Sequence, residues 1–237
     1  MNSVDLLKKN KPLILRPIRS FVHRQVGLSK ERERALNTLL TLYTLPVNKG
    51  LLNLEQCFQR PALITLEIGF GMGQNLLEQA RRHPEKNFLG IEVHRPGIAS
   101  VLLGIERLKL HNVKIIQGDA VEALNTCIPN KCLDNIQIFF PDPWPKRRHH
   151  KRRLIQLEFA TLLQAKLKAG GQLQLATDWQ DYAEHMLSVL GNTDGLKNQA
   201  GKNQFSSRLT QRSPTKFEKR GQQLGHLIWD LAFYSIK

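Results

Sequence analysis

Apolar residues in the middle of the chain fall into short runs that alternate with helical patterns. Five such runs predict buried strands, at Ala62–Ile68, Phe88–Val93, Val113–Gln117, Asn135–Phe140 and Gln172–Thr177. Helical spacing between and after them predicts helices at about 74–82, 96–110, 120–127, 153–168 and 179–190. This alternation is typical of an α/β fold with a doubly wound parallel sheet, which binds ligands outside the carboxyl ends of its strands.

The two ends of the chain depart from this rhythm. Residues 1–27 mix basic and apolar residues with two prolines, which favours an extended arm, and Ser29 is a suitable N-cap for a helix that ends near Tyr43. The late apolar run Leu227–Ser235 predicts a strand that pairs antiparallel at the sheet edge. We therefore expect two parts: a basic arm, helix and connector over 1–60, and a sheet domain over 61–237.

Basic residues are concentrated in three stretches. The 237 residues carry a formal net charge of +15, from 35 Lys and Arg against 20 Asp and Glu. Segments 8–34, 146–153 and 202–220 hold 21 of these cations and only three of the acids, so the remainder is close to neutral. One such stretch alone is often a solvated face, but three together predict a nucleic-acid partner. None has the pattern of an apolar-faced amphipathic helix, which disfavours a membrane surface.

Other sequence features limit the class of protein. No apolar run reaches the roughly 18 residues of a membrane span, and no secretory signal is recognisable. The three cysteines, Cys57, Cys127 and Cys132, lack C-x-x-C spacing and suit free thiols in a reducing compartment. The sequence thus predicts a cytoplasmic protein without a metal ion. It indicates no obligate protein partner and leaves monomer and homodimer open.

Acidic residues follow the first three predicted strands. Glu67 precedes a turn that contains Gly69, Gly71 and Gly73. That turn lacks the third glycine of a dinucleotide G-x-G-x-x-G, which disfavours an NAD-dependent oxidoreductase, and it lacks the Gly-Lys-Ser/Thr of a P-loop. A carboxylate there suits the cationic amino-acid end of S-adenosylmethionine. At the next two strands, Glu92 can accept hydrogen bonds from ribose hydroxyls, and Asp119 either reaches an adenine or caps a helix.

The fourth strand opens into a rigid turn followed by cations. Pro141 and Pro143 fix the backbone around Asp142. Trp144 either offers a face for base stacking or packs within a structural turn. The basic run that follows suits phosphate contacts, which position a nucleic acid without reading its sequence. Its two histidines lack companions for a metal site.

These acids make the chain resemble class I S-adenosylmethionine-dependent methyltransferases, and longer motifs narrow the resemblance. Pro141-Asp142-Pro143-Trp144-x-Lys146-x-x-His149-x-Lys151-Arg152-Arg153 is similar to the signature of the bacterial tRNA (guanine-N7-)-methyltransferase family. Thr177-Asp178-Trp179 and Thr215-Lys216-Phe217-Glu218-x-Arg220-Gly221 also match it. The resemblance implies a Rossmann-like, mostly parallel, seven-stranded sheet. It also implies methyl transfer from S-adenosylmethionine to N7 of guanosine 46 in the tRNA variable loop, with S-adenosylhomocysteine as product.

The resemblance also assigns roles to individual residues. Asp142 is implied as the catalytic residue. Contacts with the cofactor are implied for Glu67, Gly69, Gly71, Gly73, Glu92, Asp119 and Asp142. Contacts with the substrate guanosine are implied for Lys146, Asp178, Thr215, Lys216, Phe217 and Glu218. Contacts with RNA are implied for Arg148, His149, His150, Lys151, Arg152 and Arg153. The remaining alternative is methylation of another RNA base or atom, although adenine amino-group enzymes commonly use an Asp/Asn-Pro-Pro-aromatic turn.

Overall fold

Strands and helices alternate along the part of the chain that the computed structural model describes, residues 20–21, 27–47, 50–209 and 227–237. The strands are β1 (Ile64–Ile68), β2 (Asn87–Glu92), β3 (Val113–Gln117), β4 (Leu133–Phe139), β5 (Leu167–Thr177), β6 (Leu196–Asn198) and β7 (Trp229–Ser235). The α-helices are α1 (Lys30–Tyr43), α2 (Leu54–Phe58), α3 (Gln74–Arg82), α4 (Arg95–Leu108), α5 (Ala120–Thr126), α6 (Leu157–Lys166) and α7 (Gln180–Gly191). Arg147–Arg152 form a 3-10 helix.

The seven strands form one sheet in the order β3-β2-β1-β4-β5-β7-β6. β1 to β5 pair in parallel, and β7 pairs antiparallel with both β5 and β6. The predicted α/β fold and its antiparallel C-terminal strand are confirmed, but the edge itself is formed by the three-residue β6, which the sequence analysis did not identify as a strand. The strand order reverses between β1 and β4, where doubly wound sheets open a ligand crevice.

Helices cover both faces of the sheet, which explains why every residue of β1 and β2 is buried. One apolar core joins α1, α3 and α4 to the sheet through residues such as Phe88, Ile98 and Leu102. The other joins α2, α5, α6 and α7 to it and includes Leu66 and Ile136. Truncating a fully buried leucine such as Leu66 to alanine is expected to cost about 2–5 kcal/mol. The two apolar cores therefore hold the ends of the strands in fixed positions.

The predicted boundaries fail most clearly between β4 and β5. We expected a helix over about 153–168, but α6 begins at Leu157. β5 already begins at Leu167, and its pairing jumps from Leu133↔Leu167 to Asn135↔Gln172. Gly170, with φ +79°, therefore lies in a bulge within the strand rather than at a helix end.

The N-terminal helix is attached to the sheet. Ser29 caps α1 as predicted, because its side chain accepts a hydrogen bond from the Arg32 amide at 3.4 Å. Beyond the helix, the Leu45 amide donates to the Ile115 carbonyl of β3 at 2.8 Å. The short helix α2, which the sequence reading left inside a connector, begins where the Asn53 side chain accepts from the Gln56 amide at 3.1 Å.

Candidate active site

The sheet topology brings five predicted site carboxylates to one edge. Glu67 lies at the end of β1 and Glu92 ends β2, while Asp119, Asp142 and Asp178 follow β3, β4 and β5. Because these five strands are parallel and adjacent in the sheet, their carboxyl ends meet at the same side. The side chains of Glu67 and Glu92 are close enough that the charge of Glu92 raises the pKa of Glu67. The predicted carboxylates thus share one face of the molecule.

The glycine turn after β1 leaves open space. Gly69 and Gly71 have φ angles of +73° and +55°, which favour glycine, and a Cβ at either position would meet no atom within 4 Å. At Gly97 in α4, by contrast, a Cβ would lie 2.0 Å from the Gly71 carbonyl oxygen. The first turn of α4 therefore packs directly under the glycine turn, whose outer side is accessible to a ligand.

Glu67 is buried in a network of amides that the sequence analysis did not identify. Its Oε2 accepts a hydrogen bond from the Asn75 side chain of α3 at 3.0 Å. The network continues through Gln79, Gln137 and Gln174, whose amides are linked at distances of 2.9–3.3 Å. Burial raises the pKa of Glu67 to about 7, against the hydrogen bond from Asn75, which lowers it. In the sequence, Gln137 within the apolar run of β4 was the one feature that could have indicated this network.

Glu92 holds the backbone of the predicted cofactor site in place. Its Oε2 accepts a hydrogen bond from the Gly71 amide at 2.7 Å. Its Oε1 accepts from the Val93 amide at 2.7 Å and from the His94 amide at 3.0 Å. A carboxylate that receives three main-chain donors is fixed in one orientation. It also ties the glycine turn to the start of α4.

Asp119 caps α5 and also lines a cleft. Its Oδ1 accepts from the Val121 and Glu122 amides at 2.7 and 3.3 Å, so the helix-capping alternative applies. The cleft has a volume of about 930 Å³. It runs from the ends of β2 and β3 to the basic segment and is bordered by Ser20 and Phe21 of the N-terminal arm. Glu67, Glu92 and Asp142 do not line it, so it extends beside the predicted cofactor site toward the predicted RNA contacts.

Asp142 lies in a strained turn. Phe140 and Trp144, on either side of it, have left-handed φ angles of +53° and +46°. Such conformations cost non-glycine residues about 1–3 kcal/mol each and persist only where the surroundings enforce them. The Phe140 amide donates to the Ala176 carbonyl of β5 at 2.8 Å, which anchors the first of the two. The turn therefore presents Asp142 on an exposed but fixed backbone.

Trp144 is packed by its neighbours. Its Nε1 donates to the Ser20 carbonyl at 3.2 Å, and His149 lies edge-on to the ring at 5.8 Å between centroids. The Arg152 guanidinium sits 5.0 Å from the ring centroid. Base stacking on that face would require Arg152 to move, so the packing favours the structural alternative for Trp144.

The basic segment divides into exposed and buried side chains. Arg148, Lys151 and Arg152 are exposed, as an RNA contact requires, and so is Lys146, the predicted guanosine contact. Partial desolvation and the neighbouring cations lower the pKa of His149, so its ring is neutral at pH 7. The Arg153 side chain is only 1% exposed and bonds to protein groups. This burial argues against the predicted RNA contact of Arg153.

Asp178 lines a second cleft, of about 470 Å³, beyond the end of β5. Trp179, Asp181, Glu184 and Trp229 also border it, so acids and aromatic rings share its wall. The predicted guanosine contacts Thr215, Lys216, Phe217 and Glu218 lie outside the described residues.

Within 20–21, 27–47, 50–209 and 227–237, no cluster of three or more His, Cys, Asp or Glu residues could hold a metal ion. None of the helices in these same ranges has the length and apolar character needed to cross a membrane.

Comparison with known proteins gives matches over nearly the whole chain. A family model described as "Putative methyltransferase" matches residues 61–231. A tRNA (guanine-N(7)-)-methyltransferase of Nitrosococcus oceani is 50% identical and covers 98% of this chain and 97% of its own length. The protein of the same name from Alcanivorax borkumensis is 48% identical, with 93% of this chain and 92% of its own length covered.

Solved structures share the fold at low sequence identity. The 16S rRNA methyltransferase KamB has a TM-score of 0.56 at 13% identity, with 79% of this chain and 95% of that chain covered. An aminoglycoside resistance methyltransferase has a TM-score of 0.52 at 16% identity, with coverages of 77% and 91%. The sheet order and the full-length sequence matches lead to one conclusion: this chain belongs to the tRNA (guanine-N7-)-methyltransferase family.

Proposed function

We propose that the protein transfers the methyl group of S-adenosylmethionine to N7 of a guanine in tRNA, at position 46 of the variable loop. The observation that carries this proposal is the 50% identity to a tRNA (guanine-N(7)-)-methyltransferase over 98% of the chain. A match of that extent includes both the glycine turn after β1 and the basic turn after β4. The methyltransferase domain corresponds to 61–237 in this proposal, close to the 61–231 of the family model.

The residues at the ends of β1 and β2 fit S-adenosylmethionine, which supplies an electrophilic methyl group on a sulfonium when it is bound. The open space beside Gly69 and Gly71 admits a ligand against the backbone. Glu67, ionised, offers a carboxylate to the ammonium of the amino-acid end. Glu92 uses one lone pair of Oε2 on Gly71, and the other remains for a ribose hydroxyl. Asp119 reaches the adenine with Oδ2, because its Oδ1 caps α5.

The target atom determines what the protein must do. Guanine N7 carries an in-plane lone pair and no proton, so its methylation needs no strong general base and no Lewis acid. The protein contributes chiefly by holding N7 in line with the methyl carbon. Positive charge develops on the purine during transfer, and the fixed carboxylates of Asp142 and Asp178 stabilise it. The same carboxylates accept hydrogen bonds from the N1–H and amino group of guanine.

Exposed cations form the proposed RNA-binding surface. Lys146 lies next to the proposed guanine site, and Arg148, Lys151 and Arg152 project from the 3-10 helix to contact phosphates. His149 and His150 border this surface. The target base is extruded from the folded tRNA to reach Asp142. Thr215 to Glu218 complete the guanosine contacts in the proposal.

The cellular setting is also part of the proposal. The enzyme works in the cytoplasm, as a monomer or homodimer, with tRNA as its partner and without a metal ion. The three cysteines in the described residues are free thiols, which suits a reducing compartment.

Methylation of transcribed tRNA by the purified protein, followed by borohydride–aniline cleavage, tests the proposed function. Cleavage at variable-loop position 46 is expected, since only N7-methylated guanosine is broken there. A transcript with adenosine at position 46 serves as the matched control and should remain uncut. Methyl incorporation without cleavage would show that another atom is methylated. No incorporation into either transcript would show that tRNA is not the substrate.

A further inference from the structure

Arg153 is a buried cation whose partners are all within the protein. Its Nε donates to the Pro143 carbonyl at 3.0 Å. Its terminal nitrogen donates to the Asp181 carboxylate and lies 3.1 Å from His150 Nε2. The guanidinium also lies over the Tyr182 ring, 4.9 Å from the centroid. With a side chain that is only 1% exposed, these contacts satisfy a charge that would otherwise be costly to bury.

These contacts join the two loops that carry the proposed catalytic carboxylates. Pro143 directly follows Asp142 in the strained turn after β4, and its carbonyl is the group that Arg153 holds. Asp181 and Tyr182 lie in the first turn of α7, which follows Asp178 at the end of β5. Arg153 therefore bridges the two sides of the proposed guanine site.

The electrostatics of the cluster agree with this geometry. The hydrogen bond from Arg153 lowers the pKa of Asp181, so that carboxylate stays ionised and holds the guanidinium. Burial raises the pKa of the Tyr182 hydroxyl, and the Asp142 charge adds to the rise, which puts Asp142 within electrostatic reach of the cluster. The Tyr182 hydroxyl accepts a hydrogen bond from the Ile155 amide at 3.1 Å, so the chain beyond Arg153 is anchored to the same ring.

We propose that Arg153 is a positioning residue for methyl transfer, which fixes the turn of Asp142 relative to the loop of Asp178. This inference rests on the proposed function and assigns Arg153 no contact with RNA. Its neighbour Arg152 is exposed and suited to phosphate, whereas Arg153 points into the protein. A lysine at position 153 keeps the charge but cannot make the forked contact with Pro143 and Asp181 together.

Steady-state and binding measurements on Arg153→Lys test the inference, with Arg152→Ala as the matched comparison. For Arg153→Lys we expect kcat to fall on the order of tenfold to a hundredfold, because a small misplacement of the reacting groups is costly. Its KM for tRNA, its affinity for S-adenosylhomocysteine and the salt dependence of its tRNA binding should stay near wild type. Arg152→Ala should instead raise the KM for tRNA and weaken the salt dependence of tRNA binding, while its affinity for S-adenosylhomocysteine stays near wild type.

A second variant keeps the test decisive if Arg153→Lys does not fold. Asp181→Asn changes only one anchor of Arg153, at a side chain that is 61% exposed, and should lower kcat in the same direction by a smaller factor. Unchanged kcat in Asp181→Asn and in any folded Arg153→Lys would overturn the inference, as would a raised KM for tRNA with unchanged kcat in Arg153→Lys. Wild-type protein that methylates no tRNA would instead contradict the proposed function.

Discussion

The two halves of the candidate active site are held in place differently. On the cofactor half, Glu92 is fixed by three main-chain amides next to the strand that carries it. On the substrate half, Asp142 sits between two left-handed residues, in a turn held by side chains from elsewhere, such as Arg153. Main-chain amides around Glu92 and buried side-chain amides around Glu67 preorganise the first half, whereas the second depends on side chains from other segments of the chain. Mutations far from the chemistry should therefore affect transfer more than cofactor binding.

Among these substitutions, Asp142→Asn should lower kcat the most, and it tests the role of the substrate half. Removal of the charge that stabilises the developing cation is expected to lower kcat by about 10²–10³. Affinity for tRNA should change little, because the exposed cations supply it. Single-turnover methylation and equilibrium tRNA binding measure the two quantities separately. Equal losses of kcat and of tRNA affinity would show that Asp142 serves substrate binding rather than methyl transfer.

Glu92→Gln tests the main-chain support of the cofactor half. The amide loses charge-assisted bonds to backbone N–H groups, so we expect affinity for S-adenosylhomocysteine to fall about tenfold to a hundredfold. The unfolding free energy should fall by about 2 kcal/mol, or roughly 4–8 °C in Tm for a chain of this size. Fluorescence titration and thermal denaturation measure these changes.

Glu78→Gln is the matched control for this substitution. Glu78 forms only exposed ion pairs with Arg81 and Arg82 on α3. Such pairs contribute about 0–1 kcal/mol, so neither cofactor affinity nor Tm should change appreciably. A Glu92→Gln protein that behaves like this control would show that the main-chain contacts of Glu92 are dispensable.

The same contrast explains what the sequence could predict. Glu67, Glu92 and the glycine turn follow directly from strand ends, because parallel strands bring their carboxyl ends together whatever the side chains do. The burial of Arg153 could not be predicted from its place in a basic run, since that burial depends on how the chain folds back onto Tyr182. The amides around Glu67 were missed for a related reason: Gln137 and Gln174 become neighbours only through the pairing of β4 with β5.

The pH dependence of cofactor binding tests the burial of Glu67. Its pKa is raised from 4.5 to about 7, so the carboxylate becomes fully ionised only above neutral pH. Because the proposed ammonium contact needs the charged form, affinity for S-adenosylhomocysteine should rise about tenfold between pH 6 and pH 8. Glu67→Gln should bind more weakly and show no such rise, and a wild-type affinity that is flat over this range would contradict the assignment.

The contribution of Glu67 to the free energy of unfolding should fall over the same pH range in which cofactor affinity rises. The folded-state pKa lies above its ordinary value, so the folded protein binds more protons than the unfolded chain between pH 4.5 and about 7. The contribution of Glu67 is therefore complete below pH 4.5 and is lost as the pH rises through 7. Denaturant unfolding of wild type and Glu67→Gln at several pH values isolates this contribution.

Arg152→Ala should give the smallest effect and sharpen the contrast with its neighbour. Loss of one phosphate contact should weaken tRNA binding a few-fold and reduce the slope of log K against log salt by roughly 0.7–0.9. Arg152 also lies over Trp144, so Arg152→Lys, which keeps the charge with weaker stacking, is the matched control and should restore the slope. Cofactor affinity should be unchanged in both variants. A slope equal to that of wild type in Arg152→Ala would mean that the exposed face of the 3-10 helix does not meet the RNA backbone, and the substrate half would then need another source of tRNA affinity.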